Sequence, residues 1–194
     1  MRFKVAFAGM LLSAALAASA QTAPSATEAS VPMTVGFGYS NFYTDFSGYE
    51  GGLTLWVDWN RLPLPQRLQG LGIEVEGRDL NFERTGDNTK LVEYTYGGGP
   101  IYHYRHFRRT DLFGKFLISN GFIEFGNRPG DPYTHDTRAD LAPGGGASFR
   151  LLRNFSVRGD YEYQFWPHFF HEHTFNPKGF TIGVNYDLGH IHSR

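Results

Sequence analysis

The 194-residue chain carries 19 acidic and 18 basic residues, is 16% aromatic with 24 glycines, and contains no cysteine. A charge balance so close to neutral excludes a nucleic-acid binder. The lack of cysteine excludes a disulfide framework and favours a fold closed by its own backbone hydrogen bonds, and the length suits one domain or one small barrel.

Arg2 and Lys4 precede an apolar run from Val5 to Leu16, and Ala18-Ser19-Ala20 supplies a small-x-small cleavage site. Residues 1–20 therefore read as a secretory signal peptide whose apolar run is too short to span a bilayer as a helix. Residues 21–31, rich in Ala, Ser and Thr, read as a flexible lead. No later stretch reaches the roughly 20 apolar residues of a transmembrane helix, so insertion into a membrane would have to be by strands.

From residue 32 onward eight alternating segments follow one another, separated by turn-forming stretches. MTVGFGYS sets Met33, Val35, Phe37 and Tyr39 against Thr34, Gly36, Gly38 and Ser40. GLTLWVDW sets Leu53, Leu55, Val57 and Trp59 against Thr54, Trp56 and Asp58. GLGIEVEGRDLNF opposes Leu71, Ile73 and Val75 to Glu74, Glu76 and Arg78. LVEYTYGGGPIYHYR opposes Val92, Tyr94, Tyr96, Tyr102 and Tyr104 to Glu93, Thr95, His103 and Arg105. DLFGKFLISNG places Leu112, Phe116 and Ile118 opposite Lys115 and Ser119, and LAPGGGASFRL places Leu141, Ala147, Phe149 and Leu151 on its apolar side. The last two segments, NFSVRGDYEYQFW and GFTIGVNYDL, form a hairpin. Phe155, Val157, Tyr161, Tyr163 and Phe165 alternate there with Ser156, Arg158, Asp160, Glu162 and Gln164.

The connections after segments 2, 4 and 6 are short or compact, and those after 1, 3, 5 and 7 are longer and polar: Phe42–Gly51, Glu83–Lys90, Ile123–Arg138 and Pro167–Lys178. Short periplasmic turns, longer outer loops and an even strand number are the habit of bacterial transmembrane barrels. The charge of these connections runs against expectation. The short turns are basic (Arg61, Arg67, Arg108, Arg109, Arg153), whereas the outer loops carry Asp45, Glu50, Asp87, Asp131 and Asp136. A face meeting anionic lipopolysaccharide would be expected to be the basic one.

The same alternation serves a soluble sandwich, with aromatics inward and charges in water, or a membrane barrel, with aromatics toward lipid and charges inside. The second reading gathers Asp58, Glu74, Glu76, Arg78, Glu93, Arg105, Lys115, Arg158, Asp160, Glu162 and Asp187 into one lumen. Eight strands enclose only enough room for side chains, so those charges would have to pair as a plug. The expected fold is an all-β, eight-stranded antiparallel up-and-down transmembrane barrel over residues 32–188, with a C-terminal tail at 189–194.

The closing strand TIGVNYDL, with Thr181, Gly183, Tyr186 and Leu188, resembles the terminal assembly signal of outer-membrane barrels. Together with RGDYEYQFW and GGGASFR, it makes the chain similar to the small eight-stranded outer-membrane β-barrel superfamily, the OmpA/OmpX-like group, over roughly residues 32–188. The resemblance implies outer-membrane residence, contact with membrane lipid and lipopolysaccharide, and handling by the barrel assembly machinery. It implies no cofactor and does not name an extracellular partner. Chains of this group usually end on the last strand, whereas this one continues with GHIHSR.

PHFFHEHTF supplies His168, His171, Glu172 and His173 in the last outer loop, donors that suit Zn or Cu. The alternative is a solvated loop with Phe169 and Phe170 at the membrane interface. A lipid-modifying enzyme would need Ser, His and an acid on neighbouring strands. Family lipid A deacylases carry His and Ser close together on one strand, and segments 5 to 8 hold no such pair; His192 and Ser193 lie in the tail. His103 with Glu93 or Arg105 reads as part of the plug. A soluble lipocalin-like barrel with an apolar ligand is the third reading, and it requires the Tyr and Phe face to point inward. The non-enzymatic barrel is the expectation.

Overall fold

The computed structural model describes residues 33–44, 48–60, 62, 64–65, 68–82, 91–104, 107–125, 135–169 and 173–188. For 82, 91, 125, 168, 169, 173 and 174 it describes the backbone alone. Its strands are β1 (Met33–Thr44), β2 (Gly48–Trp59), β3 (Leu71–Phe82), β4 (Leu91–Tyr104), β5 (Thr110–Phe125), β6 (His135–Arg150), β7 (Phe155–Tyr163), β8 (Trp166–Phe169), β9 (His173–Phe175) and β10 (Lys178–Asp187). Eight of them close on themselves in the order β1-β10-β7-β6-β5-β4-β3-β2, and β8 and β9 form a separate two-stranded sheet.

Alternation sets the faces. On β2, Leu53 and Leu55 are exposed on the outer wall while Thr54, Trp56 and Asp58 are buried. On β3, Ile73 and Val75 are exposed while Glu74, Glu76 and Arg78 are buried. The apolar face therefore points outward all round the barrel, with Ile118, Phe37 and Ile182 at 60%, 59% and 56% exposure. The lipocalin-like reading needs the opposite orientation and is excluded. So continuous an apolar wall suits lipid and would aggregate in water. No described helix is long and apolar enough to cross a membrane.

The seam joins the two ends of the chain. β1 pairs with β10 from Thr34↔Asp187 to Tyr43↔Lys178, and the Thr34 Oγ1 hydroxyl donates to Asp187 Oδ1 at 2.6 Å. Inside that seam Ser40 shares hydrogen bonds with Thr54 (2.5 Å) and Thr181 (2.7 Å), tying β2, β1 and β10 together.

At the end away from the termini the strands run further than hydropathy indicates. Ile123–Arg138, expected as a loop, is paired at both its ends: Ile123↔Asp136 and Glu124↔His135 continue the ladder, and 126–134 lie between β5 and β6. Phe42–Gly51 likewise closes as a tight hairpin, with Thr44↔Gly48 paired and Gly48 at a φ of +82°, a conformation that glycine adopts without strain. Pro167–Lys178 contains β9 and most of β8. The ladder needs only backbone groups, so it continues where apolar and polar residues no longer alternate and the hydropathy signal is lost.

Candidate functional site: the charged lumen

The buried face of β3, β5 and β7 brings three cations and their carboxylates together. Lys115 Nζ lies 2.6 Å from Glu76 Oε2, 2.9 Å from Glu162 Oε2, 3.1 Å from Glu74 Oε1 and 3.9 Å from Asp160 Oδ2. Arg78 donates through Nη1 to Glu162 at 2.7 Å and through Nη2 to Glu76, with Nε on Thr54 Oγ1 at 3.2 Å. Arg158 donates to Glu74 at 2.6 Å and to Asp160 at 2.7 Å, and stands 3.5 Å from Asp58. Glu74 and Glu162 thus each bridge two cations across the barrel. Arg78, Glu74, Arg158 and Glu162 are each no more than 3% exposed.

Ion pairs removed from water hold together only when geometry and additional hydrogen bonds offset the loss of hydration. The aromatic side chains of the lumen complete the packing. The Arg78 guanidinium lies 4.1 Å from the centre of the Phe42 ring, and Arg158 sits 4.7 Å from Trp56 and 4.4 Å from Phe113. Trp56 donates Nε1–H to Asn185 Oδ1 at 2.7 Å. Its ring occupies the space left by Gly36 and Gly183, where an added Cβ would approach it to 2.3 and 2.5 Å.

Toward the end away from the termini a polar chain leads out of the network. Gln164 Nε2 donates to Glu162 at 3.1 Å, and Trp166 Nε1 donates to Gln164 Oε1 at 3.0 Å. Trp166 is completely buried against Gly121 of β5 and meets Phe175 edge-on at 5.4 Å. Phe42, Leu80 and Ile123, near the same ends of their strands, are also completely buried. The ion pairs thus lie below a mixed layer, in which the buried carboxylate of Glu50 stands opposite Phe42 and that of Glu93 opposite Leu80 and Ile123.

The expected lumen set falls as follows. Glu74, Glu76, Arg78, Lys115, Arg158, Asp160 and Glu162 belong to one connected network, together with Asp58. Glu93 is buried, but neither of its oxygens has a hydrogen-bond partner among the described residues, and the same holds for Asp140. Arg105 lies outside the described residues. His103 pairs through Nδ1 with Asp111 Oδ2 at 3.0 Å, and not with Glu93, with which it was grouped by position on one strand. The register explains the difference, since β4 and β5 bring His103 opposite Phe113, two residues beyond Asp111. His171 lies outside the described residues, while His168 and His173 are placed by backbone alone in β8 and β9. Among the described residues no group of three His, Cys, Asp or Glu is placed to hold a metal ion.

Asp140, Glu50, Phe42, Phe113 and Trp166 escaped the sequence reading. Glu50 looked like a loop acid but is buried on the inner face of β2, and Asp140 follows the alternation of β6 above its glycines. Because the Glu93 carboxylate is buried without a hydrogen-bond partner among the described residues, Glu93→Gln is expected to leave the unfolding midpoint unchanged or to raise it. Glu162→Gln removes an acceptor shared by Arg78 and Lys115, and lowers stability by about 1–3 kcal/mol. Urea titration of the two folded variants side by side checks the contrast.

A closed eight-stranded wall, apolar outside and charged inside, defines a transmembrane β-barrel. The chain belongs to the outer membrane protein β-barrel domain family, whose model matches residues 8–187, and that family resides in the bacterial outer membrane. Solved structures with the same fold include Neisserial surface protein A (TM-score 0.57, 13% identity, covering 80% of this chain and 95% of that one). Ail, the attachment invasion locus protein of Yersinia pestis, is similar at a TM-score of 0.53 and 18% identity, covering 80% of this chain and 95% of its own. A major outer membrane protein from Thermus thermophilus is similar at 0.54 and 11% identity, covering 79% and 98%. No curated protein matches the sequence.

Proposed function

We propose that the protein is a non-catalytic outer-membrane barrel whose lumen is plugged by its own side chains and whose role, structural or in surface interaction, is carried by its walls and outer rim. The observation that carries this reading is Lys115, whose ammonium is held within 3.1 Å of Glu74, Glu76 and Glu162 with side chains contributed by three strands. A cation tied to carboxylates on β3 and β7 occupies the axis that a solute would use, and Trp166 and Phe175 lie above it. Lipid and lipopolysaccharide would meet the outer wall. The projecting ends of β5 and β6 would meet an external partner.

The His103–Asp111 pair supports the absence of lipid chemistry. His103 is buried on the inner face of β4, whereas an acyl chain in the membrane lies against the outer face. The test is conductance in planar bilayers. The folded protein is expected to give no discrete current steps, and steady single-channel openings of the wild type would refute the plug. Lipid A acyl content after overexpression is expected to be unchanged.

A further inference from the structure

We propose that the end of the barrel where β1 begins and β10 ends binds the headgroups of anionic phospholipids in the leaflet it faces. Two short turns make the surface: Phe107, Arg108 and Arg109 before β5, and Leu151 to Arg153 after β6, with Arg150 closing that strand. Phe107, Leu151 and Leu152 are 54%, 59% and 65% exposed, and all four arginines are exposed. The turns are held side by side, because Arg150 N–H donates to the Arg109 carbonyl at 2.9 Å. The second turn is tight, with the Leu151 and Leu152 amides both donating to the Phe155 carbonyl.

Carboxylates at the same end are engaged with inner-face partners. Asp58 stands beside Arg158, Asp111 beside His103, and Asp187 accepts from Thr34. The four arginines are exposed at this end while these acids have inner-face partners. Guanidinium donors match phosphate oxygens in a planar fork, and a basic cluster beside a membrane is drawn to anionic lipid.

The apolar residues decide between a lipid and a soluble anion. Phe107, Leu151 and Leu152 are interspersed with the arginines, and Phe149 and Phe155, 46% and 44% exposed, continue the lipid-facing wall up to the turn. A free phosphate gains nothing from them. A phospholipid offers acyl and glycerol carbons at the depth where they project and phosphate where the arginines reach out. This accounts for the inverted charge pattern of the sequence: these basic turns face phospholipid from the periplasmic side.

The test is native mass spectrometry of the folded protein released from micelles containing equal phosphatidylglycerol and phosphatidylcholine of the same acyl chains. Wild type is expected to retain the anionic lipid over the zwitterionic one by about fivefold or more. Arg108→Gln, Arg109→Gln, Arg150→Gln and Arg153→Gln combined are expected to bring the ratio to within about twofold of one, whereas Arg138→Gln with Lys178→Gln, at the opposite end, leaves it high. Heat-modifiable migration verifies folding. Should the quadruple variant fail to fold, Arg108→Gln with Arg153→Gln is read in the same way and is expected to lower the ratio by at least about half. An equal ratio in wild type overturns the proposal, as does a ratio that survives the substitutions. Full displacement of lipid by excess soluble glycerol phosphate also overturns it, since that marks a soluble-anion site.

Discussion

Lys115→Met is expected to lower the stability of the folded barrel by about 3–5 kcal/mol, because it leaves buried carboxylates without the cation they share. In the wild type Asp58, Glu74, Glu76, Asp160 and Glu162 gather around Arg78, Lys115 and Arg158. Removing Lys115 leaves Glu76 and Glu162 to share Arg78, and Glu74 to share Arg158 with Asp58 and Asp160. All of these groups are buried, so bulk water does not offset the imbalance. Urea unfolding in lipid vesicles, followed by tryptophan fluorescence, measures the loss. Adding Glu76→Gln to Lys115→Met is expected to recover part of it, since the double variant removes one of the stranded charges. A Lys115→Met midpoint equal to that of wild type would show that the network does not hold the lumen together.

Trp56→Ala is the second large effect, also about 3–5 kcal/mol. The indole fills the space between Gly36 and Gly183, donates to Asn185 and supports the Arg158 guanidinium. Its two glycine neighbours carry no side chain that could swing into the void, so the cavity persists. Trp59→Ala, on the exposed wall of the same strand, is the matched control and is expected to cost clearly less, because lipid replaces the lost contacts. Equal losses at the two positions would contradict a packed lumen.

Period-two alternation was enough to assign Glu74, Glu76, Arg78, Arg158, Asp160 and Glu162 to one face, because in a strand orientation depends on parity alone. Pairing was not legible. Whether Glu74 meets Lys115 or Arg158 depends on register and on tilt across the barrel, and both contacts occur. His103 shows the same limit, since its partner Asp111 comes from the next strand. The apolar members of the lumen were hidden for another reason. Phe42 and Ile123 open connections expected as loops and Leu80 was assigned to neither face, yet all three lie on the inner face near the strand ends, beside the buried Glu50 and Glu93. Loop lengths were overestimated where the strands leave the bilayer, as at 123–138, because hydropathy reports the solvent and not the ladder.

The seam between β1 and β10 has a kinetic consequence. Thr34 and Asp187 are 153 positions apart, and the Arg158–Glu74 and Arg78–Glu162 contacts each span 84. The first half of the chain cannot neutralise its own interior: Asp58, Glu74 and Glu76 have only Arg78 among them until Lys115 arrives with β5 and Arg158 with β7. A sheet of the first four strands, inserted alone, would present Glu74, Glu76 and Glu93 to hydrocarbon. Long-range closure of this kind is slow and comes late. Insertion is therefore coupled to completion of the circle, and the nascent chain must be kept out of the bilayer until its last strand is available.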